Sequence, residues 1–469
     1  MRKVVIAGAI VVAAVLAIGV KHFLFGRGRA QPNVLLLSID TLRADHVGCY
    51  GGAVATPSID RLAAEGALFE NDSCPMPMTR PSLSTLHTSL YPREHGVVNN
   101  GVALAADNLT LAEVLSAAGY DTAAFTPVRL LDATSGLDQG FASFTAPDAH
   151  HLPADQVAPR ALDWLAKRDT KKPFFVWLHL FDPHLPYSPP PAYVQGTGVD
   201  EISWRSLMAT AAENDGDIPA SVLQRALELY AGEVAYVDHW VGAVRAELEA
   251  LGELDDTVIV FTADHGECFD HGIFFEHADC LYDGAVHVPL VMRYPRRIAA
   301  GTRVTPQVEH LDVAPTILAL AGVAAPPQFK GHALLPPPAP PADPLAPDGF
   351  ALIEHPLYQD RSAEERSRKQ ERMRSVAGVP TRPILIDRQS NALRGTTWKL
   401  ITDGPASELY DLRNDPGEAH DLATARPEVT SALRGILDTK LAQHPLHLRE
   451  SGDVNPRLRE TLKALGYVQ

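Results

Sequence analysis

Cysteine is scarce in this sequence, with 4 among 469 residues, and the few present do not form a metal-binding motif. They lack the short paired spacing of a zinc site: Cys49, Cys74, Cys268 and Cys280. In an oxidising compartment Cys268 could pair with Cys280, but four buried thiols fit the sequence equally well. Cysteine therefore neither identifies a metal site nor fixes a disulfide.

Positive charge is also in short supply. The chain has 41 Lys and Arg residues against 57 Asp and Glu residues, which gives a formal net charge of −16. This balance argues against nucleic acid or anionic lipid as the main partner, so a site for an anion must be locally positive or carry a metal ion. With 46% hydrophobic residues and no internal repeats, the chain is long enough to bury a large core.

The longest hydrophobic run lies at the N-terminus. Residues 4–20 are apolar, with Arg2 and Lys3 before them and Lys21 after them. This pattern predicts a transmembrane signal anchor over residues 1–30, which places the rest of the chain outside the cytoplasm, in the periplasm or the extracellular space. The basic flanks are too balanced to fix the orientation, and a cleaved signal peptide is the alternative.

Short apolar runs that alternate with helical patterns indicate an α/β fold. Each run is continuously apolar, as is typical of a strand buried on both faces of a sheet. Strands that alternate with helices predict a large, doubly wound, mostly parallel sheet between helices. The predicted strands are 34–37, 174–180, 257–262 and 288–292, and the predicted helices are 111–118, 158–167 and 222–251.

The C-terminal part of the chain has a different pattern. Residues 336–347 are dense in proline, which predicts a surface connection between a larger domain over 31–335 and a subdomain over 348–469. Short strands and one helix predict that this small subdomain is α+β with an antiparallel sheet. The predicted strands are 351–354, 392–396, 398–402 and 408–412, with helices over 428–441 and, on a solvated charged segment, 361–374.

A helix start and a hydroxyl group coincide in the stretch 78–96. Pro81 is tolerated only in a first helical turn, so a helix begins near Thr79. Free N–H groups at that start favour phosphate or sulfate beside the Thr79 hydroxyl. A Thr that only caps the helix is an equally good interpretation. Three leucines at helical spacing predict one inward face: Leu83, Leu86 and Leu90.

Polar side chains follow several of the predicted strands. They are Asp40, Asp182, His184, Asp264 and His265. Because ligands bind at the carboxyl ends of strands in α/β sheets, we expect these side chains to share one crevice. A single Asp after a strand is often a turn or a helix cap, but several together favour a site.

Four residues together make a metal site with a nucleophile. The set is Asp40, Thr79, Asp264 and His265. Two carboxylates, an imidazole and a hydroxyl can bind a divalent cation, which activates the Thr79 hydroxyl for attack. His179 and Asp182 could bind a second ion together with His184, although packing explains them equally well.

Several motifs occur in the order found in one protein family: SIDTLRADHVGCYGG from Ser38, LYPREHGV from Leu90, TADHGECFDHG from Thr262, HLDVAPTILALAG from His310 and ELYDLRNDPGEAHDLA from Glu408. On these motifs the chain resembles the sulfatase family of the alkaline phosphatase superfamily. The match covers nearly everything from residue 33 to the C-terminus. The resemblance implies an alkaline-phosphatase-like sandwich and a hydrolase of sulfate or phosphate esters.

The chain departs from this family at the nucleophile. Family members carry a Cys, converted to formylglycine, in the motif Cys-x-Pro-Ser-Arg. This chain has Thr79-Arg80-Pro81-Ser82-Leu83 at that position, without the Cys and without the motif Arg. Whether Arg80 replaces the missing Arg in binding substrate stays open. The Thr resembles the Thr-nucleophile branches of the superfamily.

The metal ligands depart from the family in a related way. The family typically has Asp-Asp and Asp-Asn pairs, where this chain has Asp40-Thr41 and Asp264-His265. One carboxylate is lost and one imidazole is gained. A nitrogen ligand favours zinc or manganese over calcium, as one or two ions.

The resemblance also suggests residues that contact the substrate. His184 matches the histidine of the family's Pro-His-x-Pro motif, which contacts the transferred group. His277 lies near the family's substrate-binding Lys and could act as the leaving-group acid. Asn99 and Asn100 follow the HGV motif, where the family often has a substrate-facing Asn, although plain turn residues are an equal interpretation.

These observations lead to one main hypothesis and two alternatives. The main hypothesis is a membrane-anchored, extracytoplasmic, metal-dependent hydrolase that cleaves small-molecule, glycan or lipid esters through a covalent intermediate on Thr79. The first alternative is a transferase of phosphoethanolamine or phosphoglycerol groups. The chain has one hydrophobic segment where such transferases usually have several, which argues against this alternative. The second is a pseudoenzyme that keeps the fold for binding, which the missing Cys and Arg suggest. The sequence leaves the oligomeric state open.

Overall fold

The structure is a computed structural model that describes residues 31–148, 150–194, 201–214, 218–357, 390–448, 458 and 460–462. The predicted anchor over residues 1–30 and the predicted helix over 361–374 lie outside these ranges. Among the described helices, none combines the length and the apolar character needed to cross a membrane.

The larger part of the molecule is built on a mixed sheet of eight strands. Ten strands lie in this described part of the chain, and eight of them belong to the sheet. In chain order the ten strands are β1 (Asn33–Ile39), β2 (Ala67–Ser73), β3 (Asp121–Phe125), β4 (Ser143–Thr145), β5 (Phe174–Leu180), β6 (Thr257–Ala263), β7 (Cys268–Asp270), β8 (Ile273–Glu276), β9 (His287–Arg293) and β10 (Thr302–Glu309). The strand order across the sheet is β10-β2-β9-β6-β1-β5-β3-β4, and β7 and β8 form a separate hairpin.

The central strands are parallel and buried on both faces. All seven residues of β1, β5 and β6 are buried, as their continuous apolar runs predict. Strand β1 pairs in parallel with both β5 and β6. Strand β9 is antiparallel to its neighbours β2 and β6, so the sheet is mostly parallel, as predicted.

Helices cover both faces of this sheet. They are α1 (Pro57–Glu65), α2 (Thr79–Thr88), α3 (Pro92–His95), α4 (Leu111–Ala117), α5 (Ala154–Lys167), α6 (Trp204–Glu213), α7 (Ala220–Ala250), α8 (Asp283–Val286) and α9 (Val313–Ala321). Alternate residues of β1 point to opposite faces. Leu35 and Leu37 pack in a core with α1, α5 and α7, whereas Val34 and Leu36 pack in a second core with α2, α4 and α9.

The C-terminal residues add a smaller antiparallel sheet. Its strands are β11 (Phe350–Glu354), β12 (Asn391–Gly395), β13 (Trp398–Asp403) and β14 (Ala406–Asp411), and helix α10 (Pro427–Gln443) packs against it. The predicted strands and the predicted helix over 428–441 are therefore confirmed. We call these four strands the C-terminal sheet. Residues 336–346, which are rich in proline, form neither helix nor strand.

Buried ion pairs attach the C-terminal sheet to the larger part of the molecule. Lys399 lies 2.8 Å from Asp283 and 2.7 Å from Glu418, and Arg394 lies 2.8 Å from Asp283. Burial raises the pKa of Asp283, but Arg394 and Lys399 hold that pKa well below its usual range. Asp283 is therefore ionised, and the two cations keep the C-terminal sheet in a fixed position beside α8.

Candidate active site

Helix α2 places Thr79 in the interior of the molecule. The helix begins at Thr79 and Leu83 and Leu86 pack inward, as predicted; all ten of its residues are buried, so its other faces are covered as well. The helix ends at Thr88, where Ser89 adopts a left-handed conformation with φ 53°. Met78 occupies the capping position, and the Thr79 hydroxyl instead lies 3.5 Å from Nε2 of His265. The interpretation of Thr79 as a simple cap is therefore wrong.

The ends of β1 and β6 bring the candidate metal ligands together. These parallel strands are in register, with Ile39 opposite Ala263, so the next residues, Asp40 and Asp264, lie side by side. Thr41 has φ 53°, a strained conformation that turns its N–H toward Oδ1 of Asp264 at 3.3 Å. One ligand atom each from Asp40, Asp264 and His265 lies within 4.8 Å of the others.

The oxygens of this cluster are suited to a cation. Both carboxylate oxygens of Asp40 and Oδ2 of Asp264 are buried and accept no hydrogen bond from the described part of the chain. Burial raises the pKa of Asp40 to about 8, and burial together with the Asp40 charge raises the pKa of Asp264 well above its usual value. Buried carboxylates without partners are costly unless a cation neutralises them, so the cluster fits a divalent metal ion.

His265 presents a nitrogen to the same point. Its Nδ1 donates a hydrogen bond to the carbonyl oxygen of Gly266 at 2.9 Å, which leaves the lone pair on Nε2. That nitrogen lies 3.5 Å from Oδ2 of Asp264 and 3.8 Å from Oδ1 of Asp40. Burial lowers the pKa of His265 well below its usual value, so the ring is neutral, which is the form that binds metals.

His277 and His184 lie next to this cluster. The His277 ring stacks on the His265 ring with centroids 4.4 Å apart, and the His184 ring meets His277 edge-on at 5.4 Å. Nδ1 of His277 lies 3.2 Å from Oε1 of Glu267. Burial alone lowers the pKa of His277, but the Glu267 carboxylate raises it to about 9, so His277 is positively charged at neutral pH. The site thus has a fixed cation of its own.

His184 is held by its own loop. Its Nδ1 donates a hydrogen bond to the carbonyl oxygen of Leu185 at 2.6 Å, and its ring stacks on Phe181 at 4.5 Å. Burial lowers the pKa of His184 well below its usual value. The ring is therefore neutral beside the charged His277.

The three predicted substrate-binding residues at the start of α2 and after α3 have different surroundings. The Arg80 side chain is buried, and its Nε donates to the carbonyl oxygen of Leu130 at 2.8 Å. The backbone N–H of Arg80 donates to Oδ1 of Asn100 at 2.9 Å. Nη2 of Arg80 and Nδ2 of Asn100 are buried and find no acceptor in the described residues. Asn99 instead donates to the carbonyl oxygen of Leu357 at 2.6 Å, as in the turn interpretation.

Of the two further candidates for a second ion, only one faces the cluster. Nε2 of His179 lies 3.7 Å from Oδ2 of Asp40, while its Nδ1 is 2.9 Å from Oγ of Ser38. Asp182, which follows β5, contacts the start of α5: its carboxylate accepts a hydrogen bond from the N–H of Ala154 at 3.0 Å. The helix-cap interpretation accounts for Asp182.

Two residues that lie beside the candidate site were not predicted from the sequence. Glu267 is buried, and its carboxylate raises the pKa of His277 and so favours the protonated ring. Its position in the motif TADHGECFDHG, two residues after His265, was the feature of the sequence that could have identified it. Ser82 donates to the carbonyl oxygen of Asp264 at 2.5 Å and lies 3.1 Å from Nδ1 of His310. These contacts fix the first turn of α2 against the end of β6.

A disulfide closes the segment that carries His277. Cys268 and Cys280 are joined, whereas Cys49 and Cys74 are free. Of the two alternatives that the sequence left open, the structure therefore contains the disulfide. The closed segment contains the hairpin β7–β8.

A mixed sheet between helix layers, with a cluster of candidate metal ligands and a buried hydroxyl group at its strand ends, is an arrangement suited to a hydrolase. Residues 32–323, more than half of the chain, match the family model described as Sulfatase. The chain belongs to the sulfatase family of the alkaline phosphatase superfamily, and the resemblance of its motifs is confirmed. The predicted alkaline-phosphatase-like sandwich with its small antiparallel sheet is confirmed as well, as is the assignment of the chain as a sulfatase-like hydrolase.

Known relatives support this assignment. The chain is 26% identical over 397 residues to an N-acetylglucosamine-6-O-sulfatase of Bacteroides thetaiotaomicron, which covers 65% of this chain and 70% of that protein. A protein solved with its substrate D-glucosamine-2-N,6-O-disulfate superposes with a TM-score of 0.70 at 21% identity, over 88% of this chain and 98% of the other. A phosphonate monoester hydrolase of Agrobacterium radiobacter superposes with a TM-score of 0.68 at 24% identity, over 88% and 96%.

Proposed function

We propose that this protein is a metal-dependent hydrolase of sulfate or phosphate esters that forms a covalent intermediate on Thr79. The observation that carries the proposal is the Thr79 hydroxyl, buried 3.5 Å from His265, whose neighbours Asp40 and Asp264 have three carboxylate oxygens without a hydrogen-bond partner among the described residues. Asp40, Asp264 and His265 would hold a divalent cation, and the Thr79 hydroxyl beside them would lie close enough to be activated by it. The cation supplies positive charge that lowers the pKa of the hydroxyl and stabilises the transferred anion.

The residues of the chain then divide the reaction into two steps. The Thr79 hydroxyl first gives its proton to solvent; its oxygen then bonds to the sulfur or phosphorus of the ester, and the bond to the leaving oxygen breaks as His277 gives that oxygen a proton. In the second step the oxygen of water bonds to the same sulfur or phosphorus while water returns a proton to His277, the bond to the Thr79 oxygen breaks, and sulfate or phosphate is released. The N–H groups at the start of α2 and the side chains of His184, Arg80, Asn99 and Asn100 are proposed to hold the anion.

The donor set guides the choice of metal. The nitrogen of His265 favours zinc or manganese over calcium, which prefers oxygen ligands only. One compact cluster supports one ion. A second ion would need His179 with Asp182 and His184, and the cap role of Asp182 speaks against that set.

The names of the relatives suggest a broad class of substrate for this protein. Two relatives are an N-acetylglucosamine-6-O-sulfatase and a phosphonate monoester hydrolase, so we propose a glycan or small-molecule ester, with lipid esters as a further candidate. We also propose that residues 31–335 form the catalytic domain and 348–469 a C-terminal subdomain. An extracytoplasmic location with a membrane anchor rests on the apolar run over 4–20.

The nucleophile is tested with a pair of threonine variants. The full chain, loaded with Mn²⁺ or Zn²⁺, is assayed with 4-nitrophenyl sulfate, 4-nitrophenyl phosphate and 4-nitrophenyl phenylphosphonate. We expect Thr79→Val to lose at least about a thousandfold in kcat, because it removes the nucleophile. Thr88→Val is the matched control, since Thr88 is buried on the same helix and its hydroxyl only donates to the carbonyl oxygen of Ser84.

Mass spectrometry identifies the transferred group. A rapidly quenched reaction should leave a sulfo or phospho group on the peptide that contains Thr79, and accurate mass separates the two. Full activity of Thr79→Val would refute the covalent role. A wild-type protein that binds metal but turns over none of the three esters would favour the pseudoenzyme alternative.

A further inference from the structure

The C-terminal sheet has a direct connection to the segment that carries His277. His355 follows β11, and its Nε2 donates a hydrogen bond to Oδ1 of Asp279 at 2.9 Å. Both residues are buried, with 6% and 5% of their surface exposed. Asp279 lies two residues after His277. A side chain from the far end of the chain therefore contacts the active-site segment.

The position of His355 is fixed by contacts of its own ring and of the neighbouring backbone. Its Nδ1 lies 2.8 Å from the carbonyl oxygen of Pro356, so the ring has a close contact on both sides. The backbone N–H of Glu354 donates to the carbonyl oxygen of Pro75 at 2.8 Å, and the N–H of Leu357 donates to that of Val98 at 3.0 Å. The first bond joins residue 354 to the loop that precedes α2, and the second joins residue 357 to the segment that follows α3. The position of His355 is thus tied to the position of Thr79.

The turn after His277 transmits this constraint. The N–H of Cys280 donates to the carbonyl oxygen of His277 at 3.0 Å, which closes a tight turn over residues 277–280. The N–H of Ala278 donates to the carboxylate of Glu276 at 3.2 Å. Because Asp279 lies within this turn, a shift of its side chain rotates the backbone from which the His277 ring projects.

We propose that His355 is a positioning residue for the hydrolytic reaction: through its hydrogen bond to Asp279 it holds the His277 ring facing the leaving oxygen of the ester. The inference rests on the proposed function, in which His277 gives a proton to that oxygen. It adds to that function a contribution from the C-terminal sheet. A contact that merely stabilises the fold would not affect one step of the reaction more than another.

The test uses esters that differ in their need for a proton. The 4-nitrophenolate ion leaves well without protonation, whereas the phenolate ion needs an acid, so the ratio of kcat/KM for phenyl and 4-nitrophenyl esters reports on His277. The full metal-loaded chain is assayed with both sulfates, both phosphates and both phenylphosphonates. We expect His355→Ala to lower kcat/KM for the phenyl ester at least about tenfold more than for the 4-nitrophenyl ester.

Three further variants separate positioning from stability. His355→Gln keeps a donor near the position of Nε2 and should restore most of the lost ratio. Asp279→Ala combined with His355→Ala should be no worse than either change alone, since both remove one contact. Leu437→Ala is the matched control: it opens a cavity in the core of the C-terminal sheet, far in sequence from the turn, and should leave the ratio unchanged.

Each result decides between the inference and the proposed function. His277→Gln should reproduce the selective loss on phenyl esters; if it does not, the acid role of His277 falls and the inference with it. If His277→Gln shows the loss and His355→Ala does not, only the inference is overturned. A readout independent of turnover is the imidazole NMR signal of His277, which His355→Ala should shift and Leu437→Ala should not. An unchanged signal in His355→Ala would overturn the inference at any level of activity.

Discussion

Removal of the metal ion should destabilise the protein more as the pH rises. Without a cation, the pKa of Asp40 is raised from 3.8 to about 8, because the ionised carboxylate is buried. Between these two values the folded state keeps a proton that the unfolded state releases. The free energy of unfolding of the metal-free protein therefore falls with increasing pH through this window, and the fall ends above pH 8.

The size of the effect follows from the shift. A change from 3.8 to about 8 corresponds to about 6 kcal/mol over the whole window, or about 1.4 kcal/mol for each pH unit. Asp264 adds to the effect in the same direction, since its pKa is also raised. For a chain of 469 residues, 1 kcal/mol shifts the melting temperature by about 1 °C. The melting temperatures of metal-loaded and metal-free protein should therefore separate by about 4 °C more at pH 8 than at pH 5.

Calorimetry of the full chain measures this gap, with EDTA-treated protein compared with Mn²⁺-loaded protein from pH 5 to pH 8. Two variants give effects of opposite sign. Asp40→Asn removes the buried charge and should raise the melting temperature of metal-free protein at pH 8. Burial raises the pKa of Asp45, but its bond to Arg43 lowers that pKa overall, so Asp45→Asn should lower the melting temperature.

The reasoning would be refuted if the gap between loaded and metal-free protein stayed constant with pH. It would equally be refuted if metal-free Asp40→Asn were less stable than the metal-free wild type at pH 8. Either result would mean that the Asp40 carboxylate is satisfied without a cation.

Three other changes test the surroundings of the site. Lys399→Met leaves Glu418 buried without its cation and Asp283 with Arg394 alone, and should cost about 3–5 kcal/mol, seen as a lower melting temperature. Serine at both Cys268 and Cys280 removes the disulfide, which closes a short loop, and should cost about 3 kcal/mol in denaturant unfolding; an equally stable variant would contradict this. Gly266→Ala places a Cβ 2.0 Å from the carbonyl oxygen of Gly284, which must move the turn after His265. Calorimetric titration should then find Mn²⁺ bound at least about tenfold more weakly.

The centre of the fold could be predicted from the sequence, whereas its edges could not. Strands β1, β5 and β6 have continuous apolar runs because helices cover both of their faces. Strand β2 was not predicted because the last four residues of its sequence ALFENDS are polar, and its partners β9 and β10 are distant in the chain. The direction of β9 could not be predicted, since periodicity is the same in parallel and antiparallel strands.

The candidate site, too, could be predicted from the sequence only in part. Asp40, Asp264 and His265 were predictable because they directly follow buried strands that a parallel sheet must align. The pairing of His277 with Glu267 depends on the hairpin β7–β8, and its link through Asp279 to His355 depends on where the C-terminal sheet packs. Neither arrangement has a local signature, because each joins segments whose relative position only the folded chain defines.

The strand order has a consequence for biosynthesis. Strand β1 is made early, yet its neighbour β6 begins at Thr257, and the ion pairs of Asp283 await Arg394 and Lys399 near the end of the chain. Strand β5 is made earlier and can pair with one edge of β1, but a nascent chain leaves the other edge unpaired while more than two hundred further residues are translated. Because Asp264 and His265 directly follow β6, a nascent chain contains the complete set of candidate metal ligands only after β6 has been made. Premature termination before the C-terminal sheet would leave a product with the ligands but without the buried cations that hold Asp283.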